Sequence, residues 1–573
     1  MQENLSEKAE RASLRSPEKV MRLARMGSFH QTRLSFMRAL LRCLKREKWQ
    51  FERAVWNIDE NGVGHGVYVA SNGKHTYSLV CFAHDLPPEK RSDRVIAEEW
   101  DATFALYDGS PNQEEIERLR GNIPKQEAGH CQQTELVLAR ANRSVRLFEH
   151  VVDRLSQGRQ PDQDMIDSVG YLMRTSAVYG NGKFGLGDRE RVSDRPEFVG
   201  AFRTELLAVW LIRAFTTDIT EHMARVANPQ KAVKMDPNIK RRLGVGNSTG
   251  LGMAPFLILH PALIHRWIAA RERALARVCS LPTATMETEN QFADLVRRMI
   301  IGVDNWNTVD EIQQDRIIEL RQDLLKLQSH IDRDNQPSIW EAPMPWKQLI
   351  HWTDSALSME AQELVVSLVI EPHGELVDDL ADEMGIDEAQ YFPIKGGQTV
   401  GELLGNIEDH YRWALDINYE QSAESARFWY VSEEKLEPRL GERFEEPGAE
   451  KEQPLAFGRD VAALYRTLSP GDPNQKIAGF LLQNPEHRHA VRRVQTTSRL
   501  PYAEVQDNLI AADMRPIDLL RCKLSFFGAS RFDPRSDRWV RITMYQHAPF
   551  PDELYQEGMD ADDWVYPPLP GNS

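Results

Sequence analysis

The sequence predicts a mainly α protein with smaller α+β parts: an N-terminal β-meander domain, a central helical core and a mixed C-terminal region. Three observations predict it. Residues 51 to 83 show a period of two, broken at Asn61-Gly62 and Asn72-Gly73, dipeptides that accept the positive φ of tight hairpin turns. From about residue 114 to residue 326, the chain is helical in character over long segments. Beyond residue 455, helical patterns mix with two short extended stretches.

The elements follow in chain order. Ser16 and Pro17 mark a helix start, and Val20, Leu23, Leu34, Met37, Leu40, Leu41 and Leu44 lie on one stripe, so residues 17 to 48 read as an amphipathic helix broken near Gly27. Three strands are expected at Phe51 to Ile58, Val63 to Ala70 and His75 to Ala83, with further extended chain within Val95 to Tyr107. Helices are expected at Glu135 to Leu155, Met165 to Val178, Phe198 to Ala227, Phe256 to Val278 and Glu311 to His330. Arg203 to Met223 is apolar on most of its circumference and reads as a central buried helix. Helical patterns resume at Met359 to Ile370, Leu376 to Met384 and Gly401 to Asp416, and candidate strands lie at Arg521 to Phe527 and Arg538 to Tyr545. The resulting division is 1–110, 111–336, 337–431, a charged linker or loop at 432–454, and 455–573 with an acidic tail.

Composition bounds the class. At 573 residues, 41% hydrophobic and 27% charged, the chain has the usage of a multidomain globular protein. The longest apolar stretches fall short of a membrane helix, and the N-terminus carries charges where a secretory leader has an apolar core, so a soluble cytoplasmic protein is expected. Cys43, Cys81, Cys131, Cys279 and Cys522 lie far apart with no C-x-x-C pair, which suits free thiols and disfavours zinc ribbons and disulfide frameworks. A net charge of -16 disfavours general nucleic-acid affinity. The charge is uneven: residues 1 to 48 hold 12 Lys and Arg against 5 Asp and Glu. A basic helix face there suits acidic lipid or RNA, or else docking on the acidic remainder of the chain.

Two glycine-bracketed polar segments carry the chemistry. The first, residues 179 to 189, frames Tyr179, Asn181, Lys183 and Arg189 with four glycines. Lys183 and Arg189 suit a carboxylate or phosphate, and Tyr179 can exchange a proton. Its bland reading is a helix end capped at Gly180, followed by an exposed loop. The second, residues 244 to 255, offers Gly246, Asn247, Ser248, Thr249 and Gly250 ahead of a helix opened by Pro255. Glycine amides before a helix N-terminus make an anion cradle, and Ser248 is a candidate proton carrier. Lys240, Arg241 and Arg242 stand where the dinucleotide fingerprint needs a buried strand, and neither segment has the Lys-Ser/Thr ending of a phosphate loop. No H-E-x-x-H occurs, and His260 and His265 diverge on a helix. No metal and no Rossmann-bound nucleotide is therefore expected, and the sequence names no other cofactor.

Around Gly246 to Met253, a loop rich in Gly, Ser and Thr on a helical core is similar to the carboxylate-gripping loops of the fumarase and aspartase lyases, where a loop serine serves as base. The chain lacks that family's serine pair, Met-Pro and Lys-x-Asn pattern, so the resemblance implies a reaction class alone. The expected function is an enzyme, of lyase or isomerase type, acting on a small anionic metabolite by proton transfer or elimination. Two other readings stand beside it. One is a non-catalytic protein binding partner subunits, itself included as a homo-oligomer. The other is nucleic-acid binding through residues 486 to 541, where 11 Lys and Arg lie among Tyr502, Phe526, Phe527, Phe532 and Trp539.

Overall fold

The structure is a computed structural model that describes residues 14–26, 31–90, 99–122, 132–180, 192, 195–200, 202–247, 260–306, 308, 311–332, 338–384, 392–417, 427–430, 439–442, 457–506, 516–529, 531–534, 540–557, 559 and 561–569. Its organising feature is one mixed sheet of nine strands. Helix α1 (Phe36–Arg46) precedes β1 (Gln50–Ile58), β2 (Gly64–Ser71) and β3 (Thr76–Ala83), the three strands foreseen from the hairpin dipeptides. Next come β4 (Ala102–Asp108), α2 (Gln113–Asn122), β5 (Glu135–Arg143), α3 (Phe148–Ser156), α4 (Gln163–Val169) and β6 (Tyr171–Gly180). The long helix α5 (Arg203–Ala227) leads to β7 (Gly244–Asn247). The strand order is β1-β2-β3-β4-β5-β6-β7-β11-β10, the last two being β11 (Val540–Met544) and β10 (Arg531–Pro534), which return from the C-terminal region.

This corrects the fold class expected from sequence. The meander is not a small domain of its own, nor is the chain after residue 111 a purely helical core. Residues 135 to 143 form a strand because Val137, Ala139 and Ala141 face the main core while Leu138 faces a second cluster on the other side of the sheet. A strand buried on both faces shows no alternation, and its apolar run is indistinguishable in period from a buried helix. Residues 171 to 180 form a strand because Gly170, in the left-handed conformation at φ 79°, closes α4 ten residues before the glycine expected to cap it. The expected strand at 521 to 527 is instead the end of helix α15 (Pro516–Phe527), whereas β11 occupies most of its expected span.

Helices cover both faces of the sheet. On one face α5 crosses β3 to β7, with Phe215 against Trp56, Tyr68 and Phe104, and Trp210 against Phe51. Ile116 and Leu119 of α2 cover Val80, Phe82 and Leu138 on the other. Arg213 of α5 is wholly buried and donates to the carbonyl oxygens of Leu243, Ala548 and Arg241, tying the helix to the chain entering β7 and the chain leaving β11. The main core continues through α6 (Pro261–Cys279), α7 (Met286–Asp304), α8 (Glu311–His330), α9 (Pro345–Ala356) and α10 (Met359–Ile370).

A second core is built by α11 (Val400–Leu415), α12 (Phe457–Leu468), α13 (Ile477–Gln483) and α14 (Arg488–Thr497). Between α11 and α12, the short strands β8 (Arg427–Tyr430) and β9 (Arg439–Glu442) pair with each other. The strand β9 falls within the charged stretch expected as a linker. No described helix is long and apolar enough to cross a membrane.

The basic head is folded into the acidic body. Arg15 donates to Glu272 and Glu363, Arg25 to Glu363, and Lys19 to Asp354. Arg33 grips Asp378 with two hydrogen bonds, Arg38 grips Glu371, and Arg42 pairs with Asp562. Six of the basic residues of this stretch are thereby paired with carboxylates of the chain.

Candidate functional site

The only parallel pairing among the described strands is β6 with β7, where Tyr171, Arg174 and Thr175 lie opposite Gly244, Gly246 and Asn247. Helix α5 forms the crossover between them, so this part of the chain is a β-α-β unit inside an antiparallel sheet. Both glycine-rich segments follow directly from the carboxyl ends of these two strands. In open α/β sheets, ligands bind outside the carboxyl ends of parallel strands, where connecting loops gather and strand-end amides are unpaired. The strand β6 runs five residues past the last pair, Thr175 with Asn247, so its end stands higher than that of β7.

Of the residues singled out from sequence, the backbone of Tyr179 lies opposite Leu138, one residue before the end of β6, and Gly246 and Asn247 lie in β7. The side chain of Tyr179 and the whole of Asn181, Lys183, Arg189, Ser248, Thr249 and Gly250 lie outside the described residues, as does Pro255. The helix expected to start there is described from Pro261, again with proline at its first position.

Residues 244 to 247 form a strand rather than the start of a loop, and their chemistry is that of close strand packing. A Cβ on Gly246 would stand 2.7 Å from the ring of Tyr171, and one on Gly244 would collide with the carbonyl oxygen of Met544 on β11. Asn247 donates from Nδ2 to Oγ1 of Thr175 at 3.1 Å, and that hydroxyl donates to the carbonyl oxygen of Gly246 at 3.1 Å. Both side chains are buried. This link between strand ends was invisible in sequence, because it joins residues 72 apart.

A strongly perturbed group in this unit lies at its other end. Burial pushes Arg213 down to about 9, although Glu553 opposes the shift. Arg213 binds the carbonyl of Leu243 and the His547 amide donates to that of Arg241, both at the amino end of β7. These groups therefore hold the unit together, away from the ends where the polar segments depart. Among the described residues no group of three His, Cys, Asp or Glu is placed to hold a metal ion, and the four described cysteines are free.

The Arg-rich C-terminal stretch is also partly accounted for by internal packing. Arg493 is buried and donates to Glu504 at 2.6 Å, which also accepts from the Tyr411 hydroxyl. Arg521 pairs with Glu360, and the guanidinium of Arg499 lies 3.5 Å over the ring of Phe392. No protein-family model, no curated protein and no solved structure matches this chain.

Proposed function

We propose that the chain is a cytoplasmic enzyme acting on a small metabolite that bears a carboxylate or phosphate, by proton transfer or elimination, at the carboxyl ends of β6 and β7. The observation that supports this reading is topological. Two segments rich in glycine and anion-binding side chains follow adjacent, parallel strands, the arrangement from which α/β folds build ligand sites. Lys183 and Arg189 bind the charge of the substrate, and Asn181 adds a polar contact to it. Ser248, Thr249 and Gly250 supply hydroxyl and amide donors to a developing oxyanion, and Tyr179 or Ser248 moves the proton. Gly246 and Asn247 frame the end of β7. Free cysteines suit the reducing compartment that this reading assumes.

A thermal-shift screen of the full chain against small carboxylates and phosphate esters tests the reading. A stabilising ligand is expected, and Lys183→Ala and Ser248→Ala are expected to abolish its effect while leaving the melting temperature of the ligand-free protein nearly unchanged. A ligand response that survives both substitutions would place the site elsewhere.

A further inference from the structure

A cavity of about 360 Å³ opens between the C-terminal half of α1, the first turn of α5, the turn at Asp378–Met384 and Asp562. That volume lies in the range of small-ligand sites. Four cations face it, Arg42, Lys45, Arg46 and Arg203, against the three carboxylates Asp378, Asp382 and Asp562. The two groups do not cancel where it matters. Asp378 is gripped by Arg33 at 2.6 and 2.7 Å, and Asp562 accepts from Arg42 at 2.7 Å and from Arg33 at 3.2 Å.

None of the remaining three cations is hydrogen-bonded to a carboxylate of the described residues, and only Arg46 forms ion pairs, both of them long. Lys45 donates to the carbonyl oxygen of Met559 at 2.9 Å. Arg46, its side chain 58% exposed, comes no closer than 3.7 Å to Asp382 and 3.9 Å to Glu47. Arg203 is 2% exposed, has no hydrogen-bond partner at Nη1, and meets the Cys43 thiol and, beyond ion-pair distance, Asp382. Its place is built rather than incidental, since a Cβ on Gly200 would collide with its Nε. A buried guanidinium with no carboxylate within ion-pair distance is costly, and an anion entering the cavity removes that cost. Cys43, also in the wall, is a thiol raised to about 12 by burial, so the cavity holds no thiolate.

We propose that this cavity binds the phosphate group of a small phosphorylated metabolite, with Arg203 as the buried anchor and Lys45 and Arg46 closing on it from the solvent side. Three incompletely paired cations match a dianion better than a single carboxylate, and a guanidinium offers a planar fork to two phosphate oxygens. The site is separate from the strand ends proposed above, and neither reading depends on the other.

Calorimetric titration of the full chain with inorganic phosphate at constant ionic strength tests it. A saturable site that persists in Lys183→Ala is expected, with acetate failing to compete for it. Arg203→Met is expected to weaken binding about 10- to 100-fold, the worth of a charged hydrogen bond. The same variant should be no less stable without phosphate than the parent chain, because it removes a buried charge with no carboxylate within ion-pair distance. Lys45→Gln, at a half-buried position, should weaken binding by a smaller factor and provides the test if Arg203→Met does not fold. Absence of saturable binding, a parent-like titration in both Arg203→Met and Lys45→Gln, or competition by acetate equal to that of phosphate would each overturn the assignment.

Discussion

Arg38 and Glu371 face each other as a two-point ion pair, Nη1 to Oε1 at 2.5 Å and Nη2 to Oε2 at 2.8 Å, joining residues 333 positions apart in the chain. Arg38 is 1% exposed and Glu371 is 8% exposed. The pair lies in a network with Arg33, Arg42, Asp378 and Asp562, which fastens α1 to the turn after α10 and to the C-terminal segment. Burying two charges offsets much of their attraction, but removing one alone leaves the other stranded in a poorly solvated place. Arg38→Met is therefore expected to lower the unfolding free energy by about 3 to 5 kcal/mol. The double variant Arg38→Met with Glu371→Leu should recover most of that loss. Urea denaturation of the four proteins measures it, and a double variant as unstable as the sum of the singles would mean that the pair is not a coupled unit.

Acid should undo a second part of the same clasp. Burial alone would raise the Glu363 carboxyl, yet Arg15, Arg271 and Arg25 around it hold it at about 2, below an ordinary value of 4.5. A carboxylate with a depressed pKa contributes stability that is complete above its unfolded value and is lost as pH falls through the folded one. The expected window is thus between pH 4.5 and 2, with up to about 3 kcal/mol at stake. Denaturation midpoints across this range should fall in the parent chain. Glu363→Gln, already weakened at neutral pH, should show a smaller fall over the same interval.

Buried histidines add a separate, higher window. Burial lowers His265 and His373 from 6.5 to about 4. Each is neutral when folded and takes up a proton more readily when unfolded, so its contribution is present above pH 6.5 and declines as pH falls towards 4. His373, buried against the ring of Trp346, gives the cleanest test. His373→Gln should flatten the pH dependence between 6.5 and 4 without altering the lower window set by Glu363. A slope between pH 6.5 and 4 identical to that of the parent would remove His373 from the account.

The three hairpin strands and the long helices at 203 to 227 and 311 to 330 were legible because their signals are local: dipeptides at turns and apolar stripes of fixed period. Strand β5 was not, since its Leu138 packs on α2 while Val137 and Ala139 pack on the main core, which erases alternation. Gly170 carried the missing signal for β6, a helix-ending glycine well before Gly180. At the candidate site, composition pointed to the two polar segments, but their common origin at one end of a parallel pair depends on register between residues 171 to 175 and 244 to 247, which no local pattern encodes. The burial of Arg203 was equally hidden. An arginine opening a helix reads as a surface group until the tertiary fold buries it beside Gly200.

The glycine at 246 separates two readings of the same residue. As part of an anion cradle, it would serve a ligand and tolerate substitution in the empty protein. As part of β7, it makes room for the Tyr171 ring, whose nearest atoms would stand 2.7 to 2.8 Å from an added Cβ. Such overlap in a packed interior has no flexible end to move aside, because the ring is 3% exposed and held on the neighbouring strand. Gly246→Ala is therefore expected to cost about 1 to 3 kcal/mol of stability, the range for overpacking. Gly397→Ala, at an exposed glycine with nothing within 4 Å of the new Cβ, is the matched control and should be close to neutral. Trimming the ring with Tyr171→Ala leaves a cavity of its own, so the double variant should be more stable than the two single losses predict. Equal thermal stability of Gly246→Ala and Gly397→Ala would show that the glycine is retained for something other than packing against Tyr171.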